Sequence, residues 1–435
     1  MATQFSVKDG KRWKVSFFTI WSGQALSLLG SMLVQFALIW HLTVETGSAT
    51  VLATASLVGL LPQVILGPIV GTLVDRWNRR AIMIIADGII ALATIVLAVL
   101  FAMNRIEIWY IYFLMFIRSL AGGFHSNSMT ASTSLMVPKE HLTRIQGVNQ
   151  MLNGGLNIVA APLGAVLLEW LPMQGILAID VITAFFAIMP LFFIAVPQPE
   201  RIEQGHLQSA EKPSVWQDFL SGLRYMLSWP GLMVIGMMAI LINFLLTPAF
   251  SLLPLLVKDY FGGGAIQLSW VNSAFGVGII LGGLLLGVWG GFKRKILTSM
   301  VGLIGMGMGV MLVSITPPTG IYIAVGGALL TGIMQPITNG PLFAVMQSTV
   351  APDMQARIFS LLGSLASGMS PIGLIIAGPI SDKLGIQTWF LLGGTLCILM
   401  AIVGLFIPAL MNIEEKAAQN ENILEGTLVK PIPGD

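Results

Sequence analysis

Charge is what this 435-residue chain has least of: Asp, Glu, Lys and Arg make up 10% of it, against about 25% in an ordinary soluble domain. That shortage excludes a water-soluble fold of average make-up. Cysteine is rarer still. Its single copy, Cys397, sits in an apolar run, which excludes a disulfide framework or a thiolate metal cluster. No Gly-x-x-x-x-Gly-Lys phosphate loop occurs, so ATP does not drive the protein directly. No His–Glu–His set, Ser–His–Asp trio or carboxylate pair falls at depth; this argues against a membrane-embedded enzyme, and no cofactor or metal is expected. A net charge of +2 gives no reason to expect a nucleic-acid partner.

What the chain has is apolar length. Hydrophobic residues are 55% of it and the mean hydropathy is +0.86. Runs of about 20 apolar residues, each enough to cross ~30 Å of hydrocarbon, recur from Val15 to Ala409. In lipid such runs must be helical, because no water is there to satisfy backbone N–H and C=O groups. About twelve transmembrane helices are expected, near 15–43, 50–74, 81–103, 108–128, 145–169, 175–196, 232–257, 267–290, 296–315, 320–346, 358–381 and 387–411. The fold class is therefore an all-α polytopic membrane protein. The basic flank Lys11, Arg12, Lys14 precedes a run reaching about Leu42, too long for a signal peptide and without a small-residue cleavage site. It is expected to stay as a helix, with the N-terminus in the cytoplasm.

An even number of spans puts both termini on the cytoplasmic side. Of the 22 lysines and arginines only Arg105, Lys258 and Lys383 then fall outside, and Arg118 lies within a span, as the positive-inside rule requires. Between Val196 and Leu232 the chain turns polar. The expected domains are an N-terminal six-helix bundle (1–196), a cytoplasmic linker (197–231), a C-terminal six-helix bundle (232–412) and a cytoplasmic tail (413–435). The halves echo one another: Val137-Pro138-Lys139 to Arg144 precedes the fifth span, and Ala351-Pro352-Asp353 to Arg357 the eleventh. Pseudo-symmetric halves of this kind are a recurrent transporter plan.

Polar residues at steps of three and four align on single helix faces. The first span carries Gln24, Ser27, Ser31 and Gln35; the fifth Gln146, Gln150, Asn153 and Asn157; the seventh Asn243, Thr247 and Ser251; the tenth Thr331, Gln335 and Thr338 or Asn339; the eleventh Ser360, Ser364 and Ser367. These stripes are expected to line a hydrated cavity, with helix–helix packing as the alternative. The third, sixth, ninth and twelfth spans are almost wholly apolar and are expected to face lipid. Nearby aromatics such as Trp21, Phe36, Phe124, Phe244 and Phe343 suit a bulky, mainly lipophilic small-molecule substrate. Phosphate esters would need Arg or Lys clusters.

The hinge Gly71-Thr72-Leu73-Val74-Asp75-Arg76-Trp77-Asn78-Arg79-Arg80 joins the second and third spans. It resembles the Gly-x-x-x-Asp-Arg-x-x-Arg-Arg signature of the major facilitator superfamily, and the resemblance runs over nearly the whole chain. Within that superfamily the chain looks like the macrolide-efflux branch of drug:proton antiporters, through Phe18 to Gln24, Gln35 to Trp40, Leu61-Pro62-Gln63-Val64 and Val137 to Arg144. The resemblance implies the major facilitator fold, alternating access, export of macrolide-like drugs from the cytoplasm, coupling to H⁺ and a bacterial cytoplasmic (inner) membrane; function as a monomer is expected because one chain has enough helices to enclose a path by itself. A siderophore, lysophospholipid or other metabolite is the alternative cargo. The second half replaces the hinge by Gly287 to Lys295 without an Asp, so an inner-gate latch of Asp75 with Arg76, Arg79 or Arg80 belongs to the first half.

Ionisable groups deep in a span are expensive and point to function. The candidates are Asp87 and Arg118, expected at similar depths and within reach of each other, either for proton coupling or as a static ion pair. Glu169 and Asp180 are expected to be solvated or outer-gate residues, and His41 and His125 interfacial.

Overall fold

The computed structural model describes residues 12–198, 215–350 and 352–414, and within these it leaves the side chains of 12, 68, 69, 71, 72, 75, 76, 139, 143, 215–219, 352, 353 and 356 undescribed. All but the first two residues of the tail expected at 413–435, and much of the linker, thus lie outside the described residues. Among the described residues there is no strand.

Helices follow the apolar runs. They are α1 (Arg12–Thr46), α2 (Ala49–Arg76), α3 (Arg79–Ala102), α4 (Ile108–Met136), α5 (Leu142–Trp170), α6 (Met173–Phe193), α7 (Val215–Ser228), α8 (Pro230–Leu255), α9 (Ala265–Trp289), α10 (Lys295–Ile315), α11 (Ile321–Thr349), α12 (Pro352–Leu384), α13 (Ile386–Leu405) and α14 (Pro408–Met411). Eleven of them are long and apolar enough to cross a membrane. The expected fourth span is not among these, although α4 has 29 residues. Arg118, His125 and the run Ser126-Asn127-Ser128 make it too polar.

Turn chemistry sets the boundaries. Gly47 takes a left-handed φ of +57° directly after α1, and the Ser48 side chain caps α2 by accepting from the Val51 amide. In the hinge, Asn78 caps α3 by accepting from the Ala81 amide at 3.1 Å, which satisfies one of the orphan donors of a helix start. The last expected span is cut short: α13 ends at Leu405 and Pro408 starts α14, since proline lacks the N–H a continuing helix needs.

The chain divides into two compact units, Met1–Gln208 with Ser251–Ser273, and Ser209–Phe250 with Ala274–Asp435. In the first unit α1 packs on α5 and α6, α3 on α4 and α6, and α2 on α4. Two close approaches fix the α1–α6 crossing. A Cβ at Gly23 would stand 2.8 Å from the Phe186 carbonyl oxygen, and one at Gly30 would meet the Thr183 hydroxyl and lie 3.1 Å from Asp180 Cα. The outer rows of α3 (Ile85, Ile89, Leu92, Val99) and α6 (Ile182, Phe185, Phe192) are exposed apolar surface.

This unit also includes the end of α8, which unwinds into a π turn over Leu256–Tyr260. There Lys258 Nζ donates to the Thr43 and Val44 carbonyls at 3.0 and 3.2 Å, capping the end of α1 with a cation as its dipole favours.

In the second unit α10 packs on α11 and α13. The expectation that this ninth span faces lipid is narrowed to one row, Val301, Met308 and Ile315, because α10 is otherwise the most buried of the candidate spans. Its glycines are the reason. A Cβ at Gly302 would press on Thr338, at Gly309 on Thr331 and Gly327, and at Gly307 on Gly394, so α10 touches its neighbours backbone to backbone. A second departure is α7, a helix where only a polar linker was expected. It packs on α12, with Arg357 donating to the Ser221 hydroxyl at 3.4 Å.

Candidate functional site

The first unit holds the buried charges. Among the described residues, Arg79, Asp87 and Asp180 are the charged side chains classed as buried, and Arg118 is close behind with 10% side-chain exposure. Asp87 and Arg118 do not meet, contrary to the expectation from their depths. Arg118 Nη1 instead pairs with Asp180 Oδ2 at 2.7 Å and donates to the Thr94 hydroxyl. Thr94 Oγ1 lies 2.8 Å from the same carboxylate oxygen, and Ser31 donates to Asp180 Oδ1 at 3.0 Å. Asp180 is therefore a fully buried partner of Arg118 and not a solvated end residue.

Asp87 has different company. Gln24 Nε2 donates to its Oδ2 at 3.0 Å and also lies 3.5 Å from the Ala187 carbonyl. His125 Nε2 stands 3.5 Å from its Oδ1, so His125 is drawn into the core and is not interfacial. Among the described residues no permanent cation touches Asp87; the groups on its carboxylate are an amide and an imidazole.

These residues form two layers with one repeat. Gln24 and Ser31 on α1, Asp87 and Thr94 on α3, His125 and Arg118 on α4, and Ala187 and Asp180 on α6 are each seven residues apart. Seven residues are two helical turns, about 10.5 Å. Because α3 and α4 are successive antiparallel neighbours, the order on α4 is reversed, and each layer draws one residue from all four helices. The layer nearer the hinge has a carboxylate, an amide and an imidazole; the farther one has a carboxylate locked to a guanidinium.

The α1 stripe is thus turned largely inward. Gln24 and Ser27 are buried, Ser31 serves Asp180, and Trp21 Nε1 donates to Asn149 Oδ1 on α5 at 2.7 Å. Gln35 is exposed, and on α5 Gln146, Gln150, Asn153 and Asn157 are all exposed along one face. In the second unit Asn243 and Gln335 are partly buried, Asn339 and Ser364 exposed, and the Thr247 hydroxyl lies 3.1 Å from that of Ser370. Phe124 stacks on Trp77 and Phe244 packs on Trp389, so these two aromatics serve local packing.

At the hinge, Gly71, Asp75 and Arg76 lie in the last turns of α2, and their side chains are outside the described residues. Arg79 donates to the Ala131 carbonyl of α4 at 2.8 Å. Arg80 donates to the Phe192 carbonyl at 2.8 Å and to that of Leu191, capping the end of α6. Both arginines tie α3 to neighbouring helices of its own unit.

A cavity of about 200 Å³ lies between α2 and α4, lined by Pro62, Gln63, Gly67, Ser119, Gly123 and Asn127 among others. It is on the other face of α4 from Arg118 and His125, and is smaller than the roughly 300 Å³ at which drug-sized pockets begin. Among the described residues, no three His, Cys, Asp or Glu side chains gather as a metal site.

Comparison with known proteins adds a consistent picture. The model of the Major Facilitator Superfamily matches residues 20–370 and, in a second match, 232–430. Macrolide efflux protein A of Streptococcus pyogenes is 36% identical over 404 residues, covering 93% of this chain and 98% of that protein. The protein of the same name from Enterococcus faecalis is 33% identical, over 75% of this chain and all of its own length. The multidrug efflux pump Tap of Mycolicibacterium fortuitum is 25% identical over 88% of this chain and 94% of its own. Among solved structures, a bacterial homologue of the human lysosomal transporter Spinster superposes with a TM-score of 0.67 at 12% identity, covering 94% of this chain and 98% of its own. Such a likeness speaks for the fold alone.

Proposed function

Because the chain belongs to the Major Facilitator Superfamily, a family of multi-pass membrane transporters and not of enzymes, we propose that it exports bulky lipophilic compounds, macrolides among them, by exchange for protons. The observation that carries the substrate class is the 36% identity to a macrolide efflux protein along 93% of the chain. We place it in a bacterial cytoplasmic membrane with both termini inside, residues 1–196 and 232–412 acting as the two bundles about the linker 197–231.

Asp87 supports the proton step. A carboxylate at 3% exposure with no guanidinium or ammonium on it is costly as an anion in a low-dielectric interior. Proton loading removes that charge, while the Arg118–Asp180 pair keeps its own compensation in either state. The exposed amides of α5 offer a wet face for the polar edges of an amphiphilic solute, and the few charges suit a lipophilic body.

Everted vesicles with an imposed pH gradient test this. Radiolabelled erythromycin and a lipophilic fluorescent dye should accumulate with the gradient and not after a protonophore. Asp87→Asn should abolish accumulation yet leave erythromycin binding intact. Undiminished accumulation by that variant, or accumulation indifferent to the gradient, would overturn the reading.

A further inference from the structure

We propose that His125 is the proton relay of the hinge-side layer, carrying protons between Asp87 and the hinge end of α4 along the helix face that bears Ser128 and Ser132. This rests on the reading of Asp87 as the exchanging carboxylate and adds the route by which its proton arrives.

The geometry comes from one helix face. His125, Ser128 and Ser132 stand at i, i+3 and i+7 on α4 and so share a face. His125 Nε2 is 3.5 Å from Asp87 Oδ1. Ser128 and Ser132 are fully buried, and Ser132 donates to the Ser128 carbonyl at 2.6 Å. Below them the Ala131 carbonyl is held by Arg79 at the start of α3. Two atoms on this face, His125 Nε2 and Ser128 Oγ, are buried without a hydrogen bond. A core built only for packing seldom leaves such capacity unused, because burying an unmade hydrogen bond is costly. A proton carrier uses that capacity.

The electrostatic setting favours exchange here and not in the farther layer. The titratable groups packed about Asp87 are His125 of α4 at 3.5 Å and, one layer farther on, Asp180 of α6, which is compensated by Arg118. From α1 comes the neutral Gln24. One proton therefore decides the charge of the His125–Asp87 pair.

The step balances within the pair. The Nε2–H bond of the imidazolium breaks, its electron pair stays on nitrogen, and an Oδ1–H bond forms on Asp87. Imidazolium and carboxylate become imidazole and carboxylic acid. Water at the hinge end then supplies the next proton to the ring, or takes one in reverse. A small side-chain rotation closes the 3.5 Å separation to the roughly 3 Å that proton transfer needs.

The test uses the full-length protein in proteoliposomes with an internal pH dye. Erythromycin-driven proton flux is measured against pH, and erythromycin counterflow at equal pH reports substrate translocation without net proton movement. His125→Asn and His125→Gln should each lower proton flux by roughly 10²-fold, the scale of lost acid–base assistance, and remove one limb of the pH profile. Counterflow should stay near that of the parent, and Ser128→Ala should move flux in the same direction by less. Parent-like flux and pH profile in both His125 variants would overturn the relay. So would flux and counterflow falling together in both, which marks a packing role. Asp87→Asn separates the two readings. If it loses flux while the His125 variants keep theirs, only the relay fails; if it keeps flux, the carboxylate reading fails and the relay with it.

Discussion

Arg118 and Asp180 meet at 2.7 Å with side-chain exposures of 10% and 0%, joining α4 to α6 two turns away from Asp87. Removing one member of such a pair strands the other charge. Asp180→Asn should destabilise the protein by about 3–5 kcal/mol, whereas replacing both by apolar residues of similar volume, Arg118→Met with Asp180→Leu, should recover most of it. Thermal unfolding in detergent, read by intrinsic fluorescence, measures both. A double variant as unstable as the single one would mean that the pair does more than compensate charge.

Glycines of the first unit should respond by position. At Gly23 a Cβ would stand 2.8 Å from the Phe186 backbone oxygen, so Gly23→Ala should cost about 1–3 kcal/mol through overpacking. Gly155 on α5 has nothing within 4 Å of its Cβ position, and Gly155→Ala should gain about 0.5–1 kcal/mol from reduced backbone entropy. Melting curves of the two variants should move in opposite directions.

The exposed amides of α5 predict a different kind of loss. Asn153 and Asn157 are both exposed, and Asn157 donates to the Asn153 carbonyl of its own helix, so Asn153→Leu and Asn157→Leu leave the core intact. Erythromycin efflux should fall with melting temperature unchanged. Gln24→Leu should instead impair proton coupling, because Gln24 donates to Asp87. Parallel efflux and proton-flux assays distinguish the two classes.

At the hinge, Arg80→Gln should loosen the end of α6 by up to about 1 kcal/mol, the usual worth of a cation at a helix C-terminus, since its guanidinium holds the Leu191 and Phe192 carbonyls. Asp75→Asn should leave the melting curve alone and raise the labelling of an introduced cysteine from the hinge side, as an opened latch would. Labelling that does not change removes the latch.

The membrane class was legible because an apolar run long enough to cross lipid has one solution, and the exposed rows of α3 and α6 follow from their near-total lack of polar residues. The site was read with the right helices and the wrong partners. The fourth span was expected to end at 128, whereas α4 continues to Met136; eight residues are about 12 Å. That shift lifts Arg118 from the level of Asp87 to that of Thr94 and Asp180. It also brings His125, taken as interfacial, beside the carboxylate. Polar Ser and Thr residues hid the end of α4, since hydropathy reports lipid contact and not helicity. The seven-residue spacing of Gln24 with Ser31, and of His125 with Arg118, was present in the chain and would have suggested two layers. Helix α7 was missed although Trp216, Phe219, Leu220, Leu223 and Leu227 repeat at helical steps. The lipid-facing reading of α10 was too broad because glycine counts as neither polar nor bulky, yet it lets backbones touch.

The glycine-built packing of α10 has a consequence for how the molecule answers its surroundings. Among the described residues, every charged side chain classed as buried belongs to the first unit; the second is cemented by bare backbone and hydroxyls. Acid, alkali or a membrane voltage thus finds buried charge to grip in the first unit and, among the described residues, none in the second.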